Sequence, residues 1–85
     1  VFHDVPQSRV ALVGKRSNHG VELEFPGFDY LGVWTASTEA PFVAVEPWHG
    51  CASAYDESGR FEDKRSTITL APGERAELAF TVTPF

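Results

Sequence analysis

The chain contains no methionine, one cysteine among 85 residues and no long apolar run. A single Cys51 excludes an internal disulfide, and a small secreted domain usually carries several, so its cysteine usage points to an intracellular, cytoplasmic setting. No stretch approaches the roughly 20 apolar residues that span a bilayer, and no signal-peptide pattern is present. Excess positive charge is missing too: the formal net charge is −5, and Lys15-Arg16 and Lys64-Arg65 are isolated basic pairs. Nucleic acid and an anionic membrane surface are therefore not expected partners. A chain that opens on Val1 inside an apolar pattern and lacks methionine reads as a piece of a longer protein.

A helical stripe is also lacking; the apolar period is two. Val10, Leu12 and Gly14 alternate with Ala11, Val13 and Lys15, which predicts a strand covered on both faces. Val21, Leu23 and Phe25 alternate with Glu22 and Glu24, one face buried and one wet, until Pro26-Gly27 breaks the pattern. Further strands are expected at Tyr30–Thr35, Phe42–Glu46, Thr67–Leu70 and from Ala76 to Val82. The Ala71-Pro72-Gly73-Glu74 segment has proline and glycine where a type II turn requires them. These features predict an all-β, antiparallel fold of about six strands, in one unit without an internal boundary. From Pro47 to Ser66 the chain is polar and charged, a loop long enough to be functional.

The segment Pro41-Phe42-Val43-Ala44-Val45-Glu46-Pro47-Trp48-His49-Gly50-Cys51 carries the most chemistry. Glu46 closes an apolar strand at a proline expected to stop it, and a carboxylate there is costly unless hydrogen-bonded or chemically employed. Residues 42, 44 and 46 share one strand face, as do Tyr30, Gly32 and Trp34. If the strands pair as a hairpin with residue 36 opposite 42, Trp34 faces Ala44 and Gly32 faces Glu46, which predicts a hollow between Trp34 and Glu46. A positioned carboxylate takes a proton from a hydroxyl, and indoles pack on pyranose faces. His49 is a further candidate donor. The blander alternative has Glu46 paired with Arg or Lys and both tryptophans in the core.

Other constellations carry less. His49 and Cys51 fall short of the four ligands of a structural zinc site, and His3 and His19 are distant in sequence, so no metal is expected. Cys51 has no marked base or oxyanion hole and reads as a partly buried thiol. Asp56, Glu57, Glu62 and Asp63 lack the spacing of a calcium loop. Arg60, Lys64 and Arg65 in the same loop read as solvated side chains rather than a phosphate site.

Two stretches, Tyr30-Leu31-Gly32-Val33-Trp34-Thr35 and Ala40-Pro41-Phe42-Val43-Ala44-Val45-Glu46-Pro47-Trp48-His49-Gly50, together resemble the C-terminal part of aldose 1-epimerases, the galactose mutarotase-like proteins. The likeness runs from about Ser8 to the C-terminus and includes Asp63-Lys64-Arg65-Ser66 and Leu70-Ala71-Pro72-Gly73-Glu74. It implies that residues 1–85 form the last portion of a large antiparallel β-sandwich (the galactose mutarotase-like supersandwich). It further implies cofactor-free interconversion of α and β anomers of an aldose by acid–base ring opening. Glu46 matches the family's base; Trp34, Trp48 and His49 become sugar-contact candidates. The family's acid histidine lies upstream of the region matched, and neither His3 nor His19 sits in its motif, so these 85 residues alone are expected to be inactive. The rest of a parent chain, or a second copy, would complete the sandwich. A non-catalytic carbohydrate-binding module is the second reading, and a structural or assembly fragment with Glu46 buried and paired is the third.

Overall fold

A computed structural model describes residues 1–85 and contains six strands and two single-turn 3₁₀ segments, Pro6–Ser8 and Phe61–Asp63. The strands are β1 (Phe2–His3), β2 (Arg9–Val13), β3 (Gly20–Glu24), β4 (Tyr30–Trp34), β5 (Ala44–Trp48) and β6 (Thr81–Pro84). They form two antiparallel three-stranded sheets, ordered β1-β4-β5 and β2-β3-β6. The fold is an all-β sandwich. No helix is long and apolar enough to cross a membrane.

The core lies where the two central strands face each other. Leu23 of β3, Phe25 just beyond it and Leu31 of β4 are buried, and Val5, Val10, Val21, Phe28 and Val45 pack around them. The alternation in β3 is realised: Leu23 is buried while Glu24 is exposed and bonded to Arg9 across the ladder at 3.0 Å. At the other end of the chain, Glu74 N–H donates to Ala71 C=O at 3.0 Å with Gly73 at φ +84°, as the expected turn requires.

Several strand expectations are corrected. Pro47 does not stop its strand: β5 continues through it to Trp48, with Pro47 opposite Leu31. β5 is the edge of its sheet, where a missing N–H costs no ladder bond. Thr67–Leu70 joins neither sheet, and Ile68 and Leu70 are exposed. The final strand is confined to Thr81–Pro84 because its partner β3 ends at Glu24; beyond it Phe25 N–H turns to Ser8 C=O at 2.8 Å. Leu78 and Phe80 fall outside the strand and are exposed, while Val82, opposite Leu23, keeps the inward face as expected but remains half-exposed. β2 is not covered on both faces either: Leu12 and Val13 are exposed. β1, too short to signal itself by periodicity, adds an edge beside β4.

Candidate functional site

The β4–β5 ladder sets the site. Its register pairs Trp34 with Ala44, Gly32 with Glu46 and Tyr30 with Trp48, which is the hairpin register the sequence predicts. Side chains in these pairs share the sheet face turned away from Leu31 and the core. The small residues Gly32 and Ala44 leave room for their diagonal neighbours to lean inward. Trp34 Nε1–H donates to Glu46 Oε1 at 2.7 Å, and Trp48 Nε1–H donates to Glu46 Oε2 at 3.1 Å. One carboxylate is thus held by two indoles, one per oxygen. Bonds to an ionised acceptor are short and orienting, and the two together fix the carboxylate plane.

The hollow expected between Trp34 and Glu46 is absent. A Cβ built on Gly32 would lie 2.8 Å from Trp48 Cζ2 and 3.0 Å from Cε2, so the indole of Trp48 lies directly on the glycine backbone. The face is a shelf floored by Trp48, not a cleft. Trp34 is 52% exposed and stacks edge-on against Phe42 at a centroid distance of 5.7 Å. The tryptophans are therefore not core, and the partners of Glu46 are indole N–H groups rather than a cation.

His49 is placed differently. Strand alternation turns it away from the face of Glu46 and Trp48, and its Nδ1 lies 3.1 Å from Asp29 Oδ2, within ion-pair distance but off the line of a hydrogen bond. It lines a separate cavity with Cys51, Lys64 and Ser66. Cys51 is half-buried and free. No three His, Cys, Asp or Glu side chains converge on a common point. In the long loop, Glu62 has its carboxyl held below the usual range, first by its own backbone N–H and then by Arg60.

The Glu-x-Trp spacing places Glu46 and Trp48 on one strand face, but spacing alone does not show that both indole N–H groups turn to the carboxylate. Nor does it show that β1 sets His3 opposite Tyr30, and so in one row with Tyr30 and Trp48.

No protein-family model matches the chain, and no solved structure matches it significantly. Among curated proteins, 74 residues, 87% of the chain, align at 30% identity with Protein LacX, chromosomal, of Lactococcus lactis subsp. lactis. The same length aligns at 28% identity with Protein LacX, plasmid, of the same organism. The chain spans a quarter (25%) of the length of each of these relatives.

Proposed function

We propose that these residues form part of an aldose 1-epimerase-like isomerase in which Glu46 is the general base. The observation that carries this reading is the double indole clamp on a half-buried carboxylate on the sheet face turned away from the core. The similarity to the LacX proteins and the resemblance of the Glu46-Pro47-Trp48 block to aldose 1-epimerases are consistent with it.

Each carboxylate oxygen has two acceptor sites. One indole occupies one site on each oxygen, which leaves the others open toward solvent. An anomeric hydroxyl arriving there finds an acceptor already oriented. Glu46 removes the hydroxyl proton as the C1–O5 bond breaks, an acid elsewhere in the protein protonates O5, and rotation about C1–C2 before reclosure exchanges the anomers. The acid belongs to the upstream histidine that the resemblance implies. The exposed parts of Trp34 and Trp48 offer apolar area for a pyranose face. His49 lies off this face, with its Nδ1 3.1 Å from Asp29 Oδ2.

The test is polarimetry of fresh α-D-glucose and α-D-galactose with the full-length protein that carries these residues. Glu46→Gln is expected to lower the mutarotation rate by roughly 10²- to 10⁴-fold, the usual contribution of a positioned base. Sugar binding retained at full affinity in Glu46→Gln, with no mutarotation in the parent protein, would instead identify a carbohydrate-binding module.

A further inference from the structure

A second polar cavity of about 520 Å³ is lined by His3, Asp4, Asp29, Tyr30, Cys51, Arg65 and Ser66. Its position follows from register. His3, Tyr30 and Trp48 form one cross-strand row, and the Gly32–Glu46 row lies two residues further along. His3 on β1 and Glu46 on β5 are thus two strands and two residues apart, roughly 12 Å, the reach of two linked pyranose rings rather than one. Of the cavity lining, His3 and Tyr30 share the sheet face of Glu46 and Trp48.

The lining groups define what fits. Asp4 and Asp29 are acceptors, Arg65 is a donor, and the hydroxyls of Tyr30 and Ser66, 3.3 Å apart, are both. The positive groups are already engaged. Arg65 Nε is 3.6 Å from Glu57 Oε1, and His3 Nδ1 is 2.8 Å from Asp4 Oδ2. An anion entering here meets two carboxylates and one guanidinium whose charge is already shared. A neutral polyol meets donors and acceptors side by side, which is what vicinal hydroxyls require.

Building on the isomerase reading, we infer that this cavity is a second carbohydrate subsite, and that the protein takes the reducing end of an uncharged di- or oligosaccharide, with the next sugar ring against His3, Asp4 and Arg65. The reducing ring then lies over Trp48 with its anomeric hydroxyl at Glu46.

The experiment compares D-glucose, maltose, cellobiose and glucose 6-phosphate on the full-length protein, by mutarotation kcat/KM and by tryptophan quenching. At least one disaccharide is expected to exceed glucose by about tenfold, the worth of one or two added hydrogen bonds. In His3→Ala and Arg65→Ala that ratio is expected to fall toward one. Both side chains are largely exposed, at 72% and 58%, so the variants keep the fold. Equal values for glucose and both disaccharides, or a preference for glucose 6-phosphate, overturn the subsite while leaving Glu46-dependent mutarotation of glucose intact. Absence of mutarotation and of quenching with every sugar overturns the isomerase reading and the subsite together.

Discussion

At the scale of single residues, Gly32 decides the shape of the site. Any side chain there meets the Trp48 ring, at 2.8 Å for the first added carbon. Gly32→Ala is expected to lift the indole off the sheet and break its bond to Glu46, destabilising the protein by about 1–3 kcal/mol as overpacking usually does. A lower melting temperature with red-shifted tryptophan emission would record both effects. Glu62 gives a pH prediction. Its carboxyl is held below the usual range in the folded loop by its own backbone N–H and by Arg60. The order it gives the Arg60–Asp63 turn is therefore fully present above the unfolded carboxylate pKa and is lost as pH falls through the lower folded value. Amide protection factors across residues 60–64, measured against the intrinsic exchange rate at each pH, are expected to fall on acidification in that window, and Glu62→Gln to remove that change in protection.

At the scale of elements, legibility tracked periodicity and partners. β3 was readable because Leu23 and Glu24 face opposite environments. The β4–β5 register follows from closing the hairpin with residue 36 opposite 42, which puts Gly32 and Ala44 on one face with two indoles and a carboxylate. What was not readable depended on which strand lies alongside. Pro47 looks like a terminator in isolation, and only its edge position makes it tolerable. Thr67–Leu70 and Ala76–Phe80 have strand-like composition, but no strand extends far enough to pair with them. Of the site, Glu46 and both tryptophans were legible; the direction of the indole N–H groups and the row through His3 were not, because both rest on pairing between strands. The sheets are joined through few side chains, so each matters. Leu31→Ala, at a position 2% exposed, is expected to cost about 2–5 kcal/mol, measured as a lower urea midpoint.

At the scale of the whole molecule, the chain is open. Its radius of gyration is 16.0 Å, where about 12 Å is typical of a compact domain of this length. Its surface of 6932 Å² exceeds by more than a third the roughly 5,000 Å² expected for this mass. Much of that surface is apolar: Phe2, Leu12 and Val33 line a groove of about 440 Å³ between the sheets. A standard interface buries about 800 Å² per partner. The 85 residues in isolation are therefore expected to self-associate, read as a concentration-dependent sedimentation coefficient with binding of a hydrophobic dye. A monomer with a sharp cooperative melt would refute this.

Trp34 and Trp48 are the two tryptophans of this sequence, and both donate to the same side chain. The tryptophan part of the segment's near-ultraviolet signal is thus tied to one carboxylate. Whatever comes to rest on Glu46 shifts both chromophores at once, which makes this stretch its own label-free optical gauge of occupancy.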